Sequence, residues 1–420
     1  ARAVRASMLR LGVGRPSTLP WLHGPAGHTS LRPSTSLRPS SPHLTAQAHA
    51  RAPGVAMVSS AAGAPAAAAV LLFLVARRWD GRLSVLLNLI FLFVGAPNFR
   101  AVCDDADPAM ATHVEALREK HAKGMAPLPT VEVDAVEDLL LPRPAGSTAG
   151  AGAVQVRLYY PAPAAGSVET SPLPWLLYCH GGGWVLGSVD THDAFCRRLC
   201  AGAGVAVASV DYRRAPEHKY PAAEDDCYDT LAALMSSSVR TLRPLDRERA
   251  GVGGDSSGGT LAAQVAIRAA RAPVPLALKL QLLLCPALDA AANTPSWETN
   301  ANAPGLSAED MRWLWDRYLP SDDAAATARA ALTASPLQAT DLRGVAPAYI
   351  IAAELDVLRD EAEVYAARLR STGAQTAFIE AVGAVHAFCV YAGTPLALGD
   401  TALDEAVAYV RFALRKAKGP

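Results

Sequence analysis

The sequence predicts an α/β fold in which a mostly parallel central sheet is flanked by helices. Three observations carry that expectation. From residue 134 onward, short β-like apolar runs alternate with helix-length stretches, the pattern produced when helices cross between parallel strands. The stretch Gly251 to Gly259, GVGGDSSGG, reads as a buried strand turning sharply onto a helix with Ser256 at the apex, and residues 254–258 fit G-x-S-x-G. A second glycine cluster, His180-Gly181-Gly182-Gly183, follows another apolar run.

The chain has 420 residues and 51% hydrophobic composition, enough for a large buried core. Its 39 basic and 39 acidic residues give a formal charge of zero, so no global field favours nucleic acid or an anionic surface. Seven cysteines without regular spacing make neither a disulfide framework nor a zinc ribbon. Most are expected to be buried thiols. No phosphate loop or nucleotide fingerprint occurs, and no metal or cofactor is expected.

Residues 1–79 contain nine arginines and no acidic residue. Interspersed with Ser, Pro, Thr and Ala, they cannot build a core, and residues 1–60 are expected to be a targeting or disordered segment. Residues 61–103 form a hydrophobic segment with two apolar runs, 61–76 and 83–99. Each is at or below the roughly 17–25 residues a spanning helix needs. The better membrane candidate is 83–99, which would anchor a catalytic domain in the secretory pathway. An amphipathic or buried helix packed on the domain is the other reading, and an organelle address remains open because of the Arg-rich start.

The catalytic domain is expected over 104–420. Within 104–133, Val114 and Leu117 sit at helical spacing among charged residues, giving an amphipathic helix that Pro127 and Pro129 end. Strands are expected at 153–160, 175–179, 205–210, 250–253, 276–284, 348–353 and 376–382. Helices are expected at 190–201, 222–236, 260–270 and 358–371. The interval 289–345 breaks this rhythm and holds Trp297, Trp313, Trp315 and Tyr318. It reads as an insertion above the sheet edge.

Chemistry belongs at the carboxyl ends of such strands. Ser256 lies there as the candidate nucleophile. Glycines after a strand let peptide N–H groups face a cavity, so Gly181, Gly182 and Ser257 are candidate oxyanion donors. A serine nucleophile of this kind needs an acid and a base in the chain order Ser, Asp or Glu, His. Asp356 follows one strand and His386 the next, and His386 is the last histidine in the chain. Trp184 and Asp255, beside the two glycine motifs, are candidate substrate-binding residues.

From about Asp105 to the C-terminus the chain resembles the hormone-sensitive lipase family of α/β-hydrolases, the fold-3 group with its carboxylesterases and arylacetamide deacetylase-like members. The resemblance rests on HGGGWVLGS, DYRRAPEHKYPAAEDDCY at 211–228, GGDSSGG, CPALD at 285–289, LDVLRDE at 355–361 and VHAF at 385–388. It implies the α/β-hydrolase fold with a helical cap formed by 104–133 and about 289–345. It implies a Ser256, His386, Asp356 triad cleaving short to medium carboxylic esters of small molecules. A hormone receptor of the gibberellin kind shares this fold but lacks the histidine, and an acyltransferase would use the same acyl-enzyme. Val357, Ala387, Asp225 and Glu354 depart from the family pattern. Ala387 stands where a glycine usually follows the histidine, which matters if that site needs positive φ.

Overall fold

In the computed structural model the described residues are 107–125, 128–163, 171–236, 238–320, 334–392 and 397–415. The expected targeting or disordered segment 1–60 and the expected hydrophobic segment 61–103 with its run 83–99 lie outside them. Among the described residues no helix is long and apolar enough to cross a membrane.

Eight strands make one sheet: β1 (Ala135–Pro142), β2 (Ala153–Tyr160), β3 (Leu173–Cys179), β4 (Ala206–Asp211), β5 (Leu245–Asp255), β6 (Leu278–Leu284), β7 (Ala348–Leu355) and β8 (Thr376–Val385). Their spatial order is β1-β2-β4-β3-β5-β6-β7-β8. β1 and β2 pair antiparallel, as do β2 and β4; every later pair is parallel. The central strands are apolar along their length because both faces are covered. In β3, Trp175, Leu177 and Cys179 enter one core, while Leu176 and Tyr178 enter the other.

The first core is closed by α3 (Ala222–Met235), α4 (Ser257–Arg271) and α7 (Arg359–Ser371), through Leu231, Leu261, Val265, Tyr365 and Leu369. The second is closed by α2 (Asp193–Ala203) and α8 (Ala397–Ala413), through Phe195, Leu199, Leu403, Ala406 and Val410. The fold is the α/β-hydrolase fold. Its strand order brings the ends of β3, β5, β7 and β8 to one edge, where the HGGG loop, Ser256, Asp356 and His386 follow them.

Two further helical pieces adjoin that edge. α1 (Met110–Met125) buries Val114 and Leu117, as the sequence spacing predicts, together with Met110 and Met125. Its Arg118 donates to Val185 O at 2.9 Å and Ala215 O at 3.1 Å, and grips Glu217 with both terminal nitrogens at 2.8 Å. In the insertion, α5 (Ser296–Thr299) is followed by α6 (Ala308–Tyr318), whose start is fixed by a Ser307/Asp310 capping box. His113 of α1 meets Trp313 of α6 edge-on at 6.2 Å.

Several boundaries differ from expectation for identifiable reasons. β1 is an edge strand whose burial alternates; Glu137, Asp138 and Pro142 mask its pattern, since a one-sided edge tolerates charge and proline. β5 begins at Leu245, five residues before the expected start, because its first half is largely exposed and reads as polar. α4 begins at Ser257 and not Thr260. β8 continues past Val382 to Val385 through Gly383, which has φ 74°. α8 was not among the expected helices, although Leu403, Ala406, Val410 and Leu414 are all buried at helical spacing.

Candidate active site

The turn from β5 to α4 forces Ser256 to φ 53°, ψ −122°, a backbone state that L-residues rarely occupy. Its backbone is tied on both sides: Ser256 N donates to Leu284 O at 2.8 Å, and Ser256 O accepts from Thr260 N and Ala287 N, both at 3.2 Å. The flanking glycines are required by contact. A Cβ on Gly254 would lie 2.2 Å from Gly258 O, and one on Gly258 would lie 2.0 Å from Cys179 O. The turn therefore packs against the end of β3 with no room for a side chain.

His386 bridges the other two groups. Its Nε2 is 2.9 Å from Ser256 Oγ and its Nδ1 is 2.7 Å from Asp356 Oδ2. Leu358 N donates to Asp356 Oδ1 at 3.0 Å, so both carboxylate oxygens are engaged. With Nδ1–H directed at the carboxylate, Nε2 presents its lone pair to the serine hydroxyl. Burial works to lower the His386 pKa, but the charge and hydrogen bond of Asp356 outweigh it and hold the value above the usual 6.5. The three residues expected from the sequence are thus brought together in hydrogen-bonding order.

The glycine loop divides its N–H groups. Gly181 N donates to Asp255 Oδ1 at 3.0 Å. It is therefore directed at a carboxylate and not at the serine, a correction to its reading as an oxyanion donor. Among the described residues no acceptor engages the N–H groups of Gly182, Gly183 or Ser257. Gly182 has φ 118°, a conformation open to glycine, and its Cβ would meet Leu186 O at 2.5 Å.

Asp255 and Trp184, the two substrate-binding candidates, are both buried. Asp255 is buried and accepts from Tyr178 OH at 2.7 Å as well as from Gly181 N, with His192 Nε2 3.4 Å away. Its carboxylate ties β3 and the glycine loop to the turn that carries Ser256. Trp184 is fully buried, stacked on Tyr318 at 4.3 Å and tilted against Trp315 at 4.2 Å. It joins the loop to α6. A sequence cannot tell a pocket-lining aromatic from one that packs the insertion onto the domain.

Two neighbours of Asp356 and His386 had no role assigned from sequence. Cys285 has φ 45°, and its sulfur lies with the ligating atoms of Asp356 and His386 within 4.8 Å of one another. Burial first, and the Asp356 carboxylate second, push its thiol well above the usual range, so it stands beside the acid as a neutral wall. Glu354, out of pattern for the family, accepts Gly383 N at 2.7 Å and so holds the irregular end of β8 that leads to His386. The six described cysteines are all free and buried.

Ala387 has φ 60°, the left-handed conformation that glycine adopts without cost. Ala387→Gly is expected to raise stability by about 0.5–1 kcal/mol, the relief of left-handed strain exceeding the added freedom of the unfolded chain. A urea midpoint at or below the parent's would contradict the strain.

Residues 176–390 match the family profile described as alpha/beta hydrolase fold. A carboxylic ester hydrolase of Mycobacterium tuberculosis, LipN, is 40% identical over 276 residues, 64% of this chain and 67% of that one. The ethyl acetate hydrolase of Pseudomonas putida is 34% identical over 259 residues, 61% of this chain and 76% of that one. Among solved structures, the thermostable carboxylesterase EstE1 from a metagenomic library superposes with a TM-score of 0.64 at 34% identity, covering 72% of this chain and 98% of its own. With the fold, the glycine motifs and the serine, histidine and aspartate geometry in place, the chain belongs to the hormone-sensitive lipase family of α/β-hydrolases.

Proposed function

We propose that the protein is a carboxylesterase that cleaves short to medium acyl esters of small molecules through an acyl-enzyme on Ser256. The observation that carries this reading is His386 seated between Ser256 Oγ and Asp356 within hydrogen-bond reach of both. His386 takes the Ser256 proton as Oγ attacks the ester carbonyl. The N–H groups of Gly182 and Ser257, with Gly183 beside them, hold the developing oxyanion at the positive end of α4. His386 then returns the proton to the leaving alcohol, and the same base activates water to cleave the acyl-enzyme.

Three features support a small acyl group. Leu314 of α6 lies against the glycine loop, where a Cβ on Gly183 would be 2.5 Å from its methyl carbons. The stack of Trp184, Trp315 and Tyr318 fills the space behind that loop. A relative at 34% identity bears the name ethyl acetate hydrolase. We read α1 and the described part of the 289–345 insertion as the cap over the site, with Leu314 as one of its walls. The presence of His386 in contact with Ser256 favours an enzyme over a receptor on this fold.

Among p-nitrophenyl esters, kcat/KM is expected to be highest for acetate to hexanoate. It should fall at least about tenfold by palmitate, since a closed pocket rejects what it cannot admit more strongly than it rewards extra methylenes. A panel of acyl lengths checks this. Highest kcat/KM on palmitate would overturn the small-acyl reading while leaving the esterase reading intact.

A further inference from the structure

Glu361 is a fully buried carboxylate that ester cleavage does not use. It sits in the first turn of α7 and accepts three N–H groups: Leu288 N at 2.7 Å, Asp289 N at 3.1 Å and the Trp297 indole at 2.6 Å. Burial pushes its carboxyl up to about 8, against the pull of those donors. All three donors belong to the chain leaving β6, where the insertion begins.

The same two stretches meet five more times, once through Asp360 N donating to Ser296 Oγ at 3.3 Å. Ser296 N donates to Asp360 Oδ2 at 2.8 Å, and Ser296 Oγ donates to Val357 O at 2.6 Å. Asn300 Nδ2 donates to Glu354 O at 3.1 Å and to Asp356 O at 2.9 Å. Residues 288–300 thus hold 354–361 at both flanks of Asp356. The two carbonyls held by Asn300 are those of Asp356 itself and of the residue two before it. The Asp356 carbonyl lies in the peptide plane that leaves the Asp356 Cα, and the Glu354 carbonyl lies one peptide before the plane that enters it, so the two bonds brace the backbone from which the Asp356 side chain departs toward His386.

We propose that Asn300 is a positioning residue for the triad, and that the entry of the insertion acts as the grip that sets where the acid lies. The inference rests on the reading of Ser256, His386 and Asp356 as that triad. An amide is the required group because one NH₂ carries two hydrogens for two carbonyl oxygens. An aspartate of the same shape would oppose oxygen to oxygen, and alanine would leave both carbonyls without this donor. A loss of grip acts on the reacting geometry and not on the binding of the ester, so it is read in kcat.

The test uses the full chain with Asn300→Asp, Asn300→Ala and, in parallel, Ser256→Ala, assayed on p-nitrophenyl acetate across pH. Asn300 is only partly buried, so both of its variants are expected to fold. Each should lose roughly 10- to 100-fold in kcat with KM held within about twofold, the scale of a misplaced catalytic group. The acid limb of kcat/KM should move to lower pH as Asp356 releases its hold on His386. Should the Asn300 variants fail to fold, Ser296→Ala, which frees Val357 O, carries the same expectation of lower kcat at unchanged KM. Parent kcat and an unmoved limb in a folded Asn300→Asp protein, or parent kcat in Ser296→Ala where that variant is needed, overturns the proposal. Retained activity in Ser256→Ala instead overturns the triad reading beneath it.

Discussion

Replacing Ser256 by alanine is expected to lower kcat roughly 10⁶-fold on p-nitrophenyl acetate, the loss seen when a serine nucleophile is removed from a triad. The fold should survive, because the strained turn is held by backbone bonds from Leu284, Thr260 and Ala287 and not by the hydroxyl. What remains is the catalysis of the N–H groups of Gly182 and Ser257 acting on a bound ester, on the order of 10³–10⁴ above water. A steady-state assay on freshly purified variant protein measures it. Parent-like turnover would mean that another group attacks the ester.

Asp356→Asn is expected to lower kcat on the order of 10⁴-fold with the fold intact. The amide offers Nδ2–H where His386 Nδ1–H now donates, so the imidazole is driven to the tautomer whose Nε2 carries the proton and cannot accept one from Ser256. The pH dependence should change as well. In the parent, the His386 pKa lies above 6.5 because the Asp356 charge and hydrogen bond outweigh burial. Only the neutral imidazole is a base, so activity falls as pH drops through that raised value. In the variant the support is gone and burial remains, so the limb shifts to lower pH beneath a reduced plateau. For stability the sign is opposite. A raised folded pKa contributes stability that is fully present below the unfolded value near 6.5 and lost as pH rises through the folded value. The variant should lose that acid-side contribution. An unshifted limb in a kcat/KM profile would contradict the pairing.

The proposed reacting groups were legible because each follows a strand: Ser256 after β5, Asp356 after β7 and His386 after β8. Strand ends are marked in sequence by the switch from apolar residues to glycine and charge. The sheet core was legible for the same reason, since β3, β4, β6 and β7 are apolar on both faces. The edge strand β1 and the first half of the central strand β5 were not, because both meet solvent and carry the charges of a loop. Roles that depend on where a bond points were hidden too. Gly181 and Gly182 are adjacent and chemically identical, yet only the first has an acceptor, because Asp255 comes from a strand 74 residues later. Trp184 and Asp255 flank the motifs in sequence and lie behind them in space. Ala387 was the departure whose consequence sequence did anticipate: the position takes φ 60°.

The central claim is that Ser256 carries the acyl group, and chemical trapping tests it most directly. Parent protein treated with diethyl p-nitrophenyl phosphate should release one equivalent of p-nitrophenol as esterase activity disappears. The diethylphosphoryl group should then be found on the peptide containing Ser256, with no labelling in Ser256→Ala or after His386→Ala. A phosphoryl group on any other residue, or full activity in protein labelled at Ser256, would contradict the account.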